Sequence, residues 1–140
     1  MIIQKICLDV DHWSSKWIPI SYKTLSKKQY NNSYTFLWHE NNEVLAICRS
    51  YYMSKHHIEI GDVWLNEKCR GKYQSNIKIS ILFMKKIIAK IWKIYSYSTK
   101  ISLVVSSNNI PAIKLYQKLN FHKTKNTSDE FYMIRKKRLL

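Results

Sequence analysis

Glycine and proline are almost missing from this 140-residue chain, which has two of each. With so few breakers and no Ser/Gly/Pro-rich stretch, nothing marks a linker, a low-complexity tract or an internal repeat. A chain of this length that is 46% hydrophobic can bury one real core but not two, so residues 1–140 read as a single domain. Cysteine is scarce and odd in number. Cys7, Cys48 and Cys69 lie far apart, with no Cys-x-x-Cys and no histidine at metal-ligand spacing, which argues against a disulfide framework and for reduced thiols. The His56-His57 pair has no further ligand pattern and reads as an exposed turn or strand edge, so no metal is expected. No apolar run is long enough to span a bilayer. Residues 1–8 also lack the long apolar stretch and small-residue cleavage site of a signal peptide. The expectation is a soluble, cytoplasmic protein with no membrane partner.

Negative charge is the other shortage. Nine Asp and Glu stand against 24 Lys and Arg, for a net charge of +15. Such a balance normally points to nucleic acid, an anionic membrane or an acidic ligand. Twenty of the cations are Lys and four are Arg, amid many Asn and Ile. That bias resembles AT-rich coding more than phosphate recognition, where the planar, bidentate Arg is favoured. Nucleic acid is therefore the weaker reading, and the charge equally suits a polyanionic cofactor.

What is present is periodic. Residues 2–10 read as a strand. Residues 11–32 are rich in aromatics (Trp13, Trp17, Tyr22, Tyr30) and are broken by Pro19, which suggests one or two short helices and a loop. Residues 34–39 and 44–52 alternate as strands around the turn Glu40-Asn41-Asn42-Glu43, and residues 58–65 form another. From Ser75 to about Tyr95, Ile77, Ile81, Met84, Ile88, Ile91 and Tyr95 fall on one helical face, with Lys78, Lys85 and Lys93 elsewhere. A basic amphipathic helix of this kind can lie on a membrane, but a core helix with a solvated lysine face is the preferred reading. A buried strand (100–105), a helix (109–119) and two strands (121–124 and 131–135) joined by a polar turn complete an α/β order with a mixed sheet.

Two segments carry chemistry. Arg70-Gly71-Lys72-Tyr73-Gln74-Ser75 joins a strand to a helix, a corner whose unpaired amides and helix dipole suit a pyrophosphate. Asn109-Ile110-Pro111-Ala112-Ile113-Lys114-Leu115-Tyr116-Gln117-Lys118-Leu119-Asn120-Phe121 carries its own helix signals. Asn108 or Asn109 can cap it, Pro111 fits its first turn, Ile113, Tyr116 and Leu119 share a face, and Asn120 suits a left-handed end. Together the two segments resemble the acyl-CoA signature of the GNAT superfamily of N-acyltransferases. In that family the first reads Arg/Gln-x-x-Gly-x-Gly/Ala; here Arg70 matches, Tyr73 stands at the first glycine and Ser75 at the second small residue. The second reads Asn-x-x-Ala-x-x-Leu-Tyr-x-Lys-x-Gly-Phe after a strand ending in Val, and residues 105–121 reproduce it with Asn120 in place of Gly. The architecture matches over essentially the whole chain, and the specific sequence over about residues 59–121.

The resemblance implies a GNAT-like fold: a mixed, mostly antiparallel sheet with a splayed parallel strand pair, flanked by helices. It also implies acetyl-CoA as co-substrate, bound where strands 58–65 and 100–105 part. Val63, Trp64 and Leu65 would pair with the pantetheine arm, and Arg70, Gly71, Lys72, Tyr73, Gln74 and Ser75 would cradle the pyrophosphate. Asn109 would bond the pantetheine, and the Tyr116 hydroxyl would protonate the departing thiolate. Lys72, Lys78 and Lys114 are candidates for the nucleotide phosphates. Attack on a thioester needs a neutral amine, hence a group that accepts its proton. Glu59 and Asp62 are the carboxylates of the strand beside the acyl site. Glu59, four residues before Val63, is the first choice, since Asp62 points to the other face unless a bulge re-aims it. The expected activity is transfer of an acetyl group from acetyl-CoA to a primary amine by direct attack in a ternary complex. The acceptor, a small molecule or a peptide, would lie between residues 11–32 and 125–130, with Asp9, Asp11, Asp129 and Glu130 available to a cationic amine. Two other readings are a non-catalytic CoA-binding or regulatory module on the same fold, suggested by Tyr73, and a basic nucleic-acid-binding domain that stacks bases on exposed aromatics.

Overall fold

The structure, a computed structural model, describes residues 3–7, 33–41 and 43–138. The helices expected within residues 11–32, and Asp9 and Asp11, lie outside the described residues. Among the described residues the order is β1 (Ile3–Cys7), β2 (Tyr34–Glu40), β3 (Glu43–Ser54), β4 (His57–Leu65), β5 (Tyr73–Gln74), β6 (Ile77–Lys78), α1 (Ile79–Ile94), β7 (Lys100–Ser106), α2 (Ile110–Lys118), β8 (His122–Asn126) and β9 (Glu130–Lys136). Seven strands form one sheet in the order β1-β2-β3-β4-β7-β9-β8, and β5-β6 is a separate hairpin. Every neighbouring pair in the large sheet is antiparallel except β4 with β7, so the expected mixed sheet with one parallel pair is what forms.

The period-two pattern of the strands decides which face is covered. Ile58 and Ile60 of β4, Ile101, Leu103 and Val105 of β7, and Met133 of β9 point to one face and join the apolar cluster. Their alternates Glu59, Ser102 and Tyr132 point to the other face. Helix α1 covers the apolar face with Phe83, Met84, Ile87, Ile88 and Ile91, while Lys85, Lys86 and Lys93 stay exposed. Helix α2 adds Ile113 and Tyr116. Its boundaries follow the expected chemistry. The Asn109 side chain accepts from the Ala112 amide at 3.3 Å. At the far end Asn120 takes φ 66°, and the Phe121 amide returns to the Tyr116 carbonyl at 3.0 Å, a left-handed termination in which Asn replaces Gly. β8, exposed throughout, is a sheet edge whose sequence His-Lys-Thr-Lys-Asn discourages pairing with another chain.

Helix α1 starts later than expected. Ser75 and Asn76 both have positive φ, 50° and 65°, the geometry of a two-residue type I′ turn, and Gln74 pairs with Ile77 and Tyr73 with Lys78 across it. Residues 73–78 are therefore a hairpin that precedes the helix. Ile77, expected on the buried face, is 40% exposed.

Because Ile87 is fully buried between α1 and the sheet, Ile87→Ala is expected to destabilise the protein by about 2–5 kcal/mol. A lowered urea midpoint at unchanged slope checks this.

Candidate active site

Parallel pairing of β4 with β7 is short. It joins His57 to Lys100, Ile58 to Ile101 and Glu59 to Ser102, and there it stops. Beyond Glu59, β4 keeps its partner β3 while β7 keeps β9, so the two strands diverge and the backbone groups of β4 that face β7 line the gap. A bulge drives the divergence. Ile47 pairs with Trp64 and Arg49 with Gly61, so Cys48 alone opposes both Asp62 and Val63, and Asp62 adopts φ 53°. A bulge adds twist and re-aims side chains. Here it swings Asp62 onto the face carrying Glu59, where its Oδ2 accepts from Arg49 Nη1 at 2.9 Å and from the Tyr51 hydroxyl. Arg49 is fully buried, so the carboxylate is the countercharge it needs.

On the helical side the gap opens into a cavity of about 710 Å³. Val63, Trp64 and Leu65 form its strand wall, Ile110, Pro111, Ala112 and Leu115 its α2 wall, and Gly71, Ser80 and Ile81 its corner, with Arg70, Lys78, Lys114 and Lys118 around it. No carboxylate lines it, which suits a long ligand with an apolar arm and an anionic end. The corner is prepared for phosphate in three ways. Gly71, with φ 68°, has nothing within 4 Å of the place a Cβ would occupy, so a ligand can approach its backbone. Arg70 is tied back by its Nε to the Leu65 carbonyl at 2.9 Å. Helix α1 begins without a side-chain cap or an acidic residue in its first turn, leaving its dipole and the first-turn amides after Ile79 to an anion.

Of the residues expected at the donor, Val63, Trp64, Leu65, Arg70 and Gly71 line this cavity, as do Lys78 and Lys114 among the phosphate candidates. Lys72, Tyr73, Gln74 and Ser75 are outside the cavity wall, because the Ser75-Asn76 turn folds this segment into the hairpin; the Ile79 amide closes its base on the Lys72 carbonyl at 3.0 Å. Tyr73, 61% exposed, therefore leaves the phosphate corner open. Ser80, Ile81 and Lys118 were missed. The first two lie just past the real helix start, and Lys118 is one turn beyond Lys114 on α2. Asn109 is occupied as the cap of α2, and Tyr116 is buried in the apolar cluster instead of lining the cavity. Its ring packs edge-on against Phe121 at 5.9 Å. Burial, and next the neighbouring Cys48, push its hydroxyl pKa above the ordinary phenol value.

On the opposite face of the sheet, Glu59 sits at the apex of the gap. Ser102 Oγ donates to its Oε1 at 3.5 Å, His57 Nε2 lies 2.5 Å from Ser102 Oγ, and the Tyr132 hydroxyl lies 3.4 Å from the same nitrogen. Burial raises the Glu59 pKa, and the Ser102 hydrogen bond offsets part of that rise. Burial, then the Lys100 charge, lower that of His57. Among the described residues no group of three or more His, Cys, Asp or Glu is arranged to hold a metal, and no helix is long and apolar enough to cross a membrane.

The family model of the GNAT acetyltransferases matches residues 6–121. The chain belongs to that family. Acetyl-CoA is accordingly its co-substrate and acetyl transfer to an amine its chemistry. Solved structures share the fold at low identity. The N-acetyltransferase PseH of Campylobacter jejuni, in complex with acetyl coenzyme A, has 16% identity and a TM-score of 0.69 over 98% of this chain and 100% of that one. A GNAT family acetyltransferase from Elizabethkingia anophelis with acetyl-CoA bound has 16% identity and a TM-score of 0.74 over 96% and 97%. The spermidine N-acetyltransferase of Vibrio cholerae, in complex with CoA and spermine, has 14% identity and a TM-score of 0.65 over 76% and 66%. No curated protein matches the chain in sequence.

Asp62→Asn keeps a residue type that tolerates positive φ but removes the countercharge of Arg49. The expected loss is roughly 3 kcal/mol, the lower end for a broken buried pair, since the Asp62 side chain is 27% exposed. Chemical denaturation measures it, and an unchanged midpoint excludes this role for the pair.

Proposed function

We propose that this cytoplasmic enzyme transfers the acetyl group directly from acetyl-CoA to a primary amine, with donor and acceptor meeting through the β4–β7 gap from opposite faces of the sheet. The observation that carries this reading is the placement of Glu59 at the apex of that gap, on the face away from the donor cavity. The donor's pantetheine lies along Val63, Trp64 and Leu65, its pyrophosphate at Arg70, Gly71 and the start of α1. The amine arrives from the Glu59 side. Glu59 takes the proton the amine must lose, and its raised pKa makes it a better base than an exposed carboxylate. Backbone N–H groups of β4 left without ladder partners at the gap stabilise the oxyanion of the tetrahedral intermediate.

Collapse of that intermediate expels CoA as a thiolate. Tyr116, its pKa held up by burial, keeps its proton at neutral pH and is the acid that donates to the sulfur. The Asn109 side-chain NH₂, which its cap bond does not use, is a donor for the pantetheine. Direct attack is favoured over an acetylated enzyme by the cysteine at the bulge: Cys48 is fully buried, and burial raises its thiol pKa far from the thiolate range.

Titration with acetyl-CoA tests the donor half. At a hundredfold excess over Kd it is expected to add about 2.7 kcal/mol of stability, seen as a melting point several degrees higher. No shift at millimolar donor overturns it. For the acceptor half, Glu59→Gln and Tyr116→Phe should each lower kcat by about a hundredfold or more without changing the acetyl-CoA Kd.

A base must be deprotonated to act, so activity falls as pH drops through the Glu59 pKa. That acid limb is expected above the ordinary carboxylate range. Because the Ser102 hydrogen bond is what lowers this pKa, Ser102→Ala should move the limb to still higher pH. A limb that stays in place in Ser102→Ala and persists in Glu59→Gln assigns the base elsewhere.

A further inference from the structure

The face of the sheet that carries Glu59 also carries a second cavity, away from the donor site. Its volume is about 460 Å³, and it is lined by Asn120, His122, Thr124, Ile134, Lys136 and Arg138. Register fixes its relation to the apex of the gap. Glu59 pairs with Ser102, Ser102 with Ile134 and Ile134 with His122, so one row of residues runs from the proposed base across β7 and β9 into the cavity. Three strand spacings of about 4.8 Å put its far end roughly 14 Å from Glu59. Tyr132, whose hydroxyl approaches His57, is two residues from Ile134 on the same face.

Charge along this row changes sign. Glu59 is at one end. In the neighbouring row His57 pairs with Lys100 and Lys100 with Lys136, and the cavity is lined by His122, Lys136 and Arg138 without a carboxylate in its wall. The two ion pairs among the described residues, Arg49–Asp62 and Lys68–Glu43, leave Lys136 and Arg138 out. Arg138 also comes close enough to Arg135 to lower that residue's pKa, after burial. Like charges gathered in a concave site with an amide donor, Asn120, are a binding arrangement for a phosphoryl oxygen cluster. Of the other carboxylates that register places on this face, Asp62 is already paired with Arg49 and Glu130 lies opposite Ser106, at the far end of β9 from the cavity, so a polycation finds Glu59 with an unfavourable field towards β8.

We infer that the His122–Lys136–Arg138 cavity is an anion subsite of the acceptor, and that the acceptor is a primary amine carrying a phosphate group, its amine at Glu59 and its phosphate in this cavity. The assignment rests on the proposed acetyl transfer at Glu59, and two readouts keep the two claims apart. In the first, α,ω-aminoalkyl phosphates of increasing chain length are compared with the matching amino alcohols as acceptors, in the intact protein and in Lys136→Ala/Arg138→Ala. The expected result is a KM about tenfold or more lower for the phosphate at chain lengths that span the row. This advantage vanishes in the double variant, whose turnover of the amino alcohols is unchanged. In the second, the same aminoalkyl phosphates are titrated calorimetrically against protein saturated with CoA, which occupies the other basic cavity, with inorganic phosphate as competitor. Binding that needs Lys136 and Arg138 and is displaced by inorganic phosphate supports the subsite even where no acetyl transfer occurs, in which case it is the catalytic assignment that fails. Equal KM for phosphate and alcohol at every length, or a phosphate preference that survives in the double variant, overturns the subsite while leaving acetyl transfer intact.

Discussion

The early end of pairing between β4 and β7 is the constraint on which both sites depend. Two parallel strands left to themselves would continue their ladder, since backbone N–H and C=O groups are costly to leave unpaired. Two features prevent it. Each strand is satisfied on its outer edge, by β3 and β9, and the Asp62 bulge bends β4 away. The bulge is in turn fastened by Arg49, a fully buried cation that draws the Asp62 carboxylate onto the Glu59 face at 2.9 Å. The unpaired edge of β4 beyond Glu59 is therefore a strand edge awaiting a strand-like ligand, and an extended arm bearing amide groups is such a ligand. Helix α1, with Phe83, Met84 and Ile87 fully buried, keeps the sheet from closing up behind it.

Much of this was legible where local chemistry and long-range placement agree. The segment from Asn109 to Phe121 announces its own start, face and end through Asn109, Pro111, Tyr116 and Asn120, and the structure forms the helix these residues specify. The strands of the meander were equally readable, because Phe36, Ala46, Cys48 and Ile58 alternate with residues of the other face. The phosphate loop was harder. Ile77, Ile81 and Met84 fit a helical period, and the period cannot register that Ser75 and Asn76 take positive φ and turn the chain back first. The bulge at Asp62 was legible only as a possibility: Gly61 beside it is the kind of residue that marks one, but only the register, with Ile47 on Trp64 and Arg49 on Gly61, fixes where the extra residue falls. Ser102 was invisible as a partner of Glu59 and of His57 because parallel register joins residues 43 and 45 positions apart. In a chain with 24 Lys and Arg, no pattern singles out Lys136 and Arg138 until β8 and β9 set them around one cavity.

The sheet divides the chemistry between its faces, and the charge on the second face bears on the nucleophile itself. An aliphatic amine arrives as an ammonium ion and attacks only after losing a proton. A positive field lowers the pKa of such an ion, and beside the gap Lys100 supplies one, its charge already acting on His57. A face lined with carboxylates would bind a cationic amine more tightly but hold it in the unreactive state. This face instead places a single base of raised pKa, Glu59, where the proton leaves. Its cations bind the anionic remainder of the acceptor, so affinity comes from a part of the molecule that does not react. Binding energy from that remote group can then offset the unfavourable placement of an ammonium among positive charges, a cost relieved when the proton passes to Glu59. The excess of lysine, ambiguous as a sign of the partner, thus acts in one direction at both ends of the reaction: it holds the nucleotide of the donor on one face and favours the neutral amine on the other.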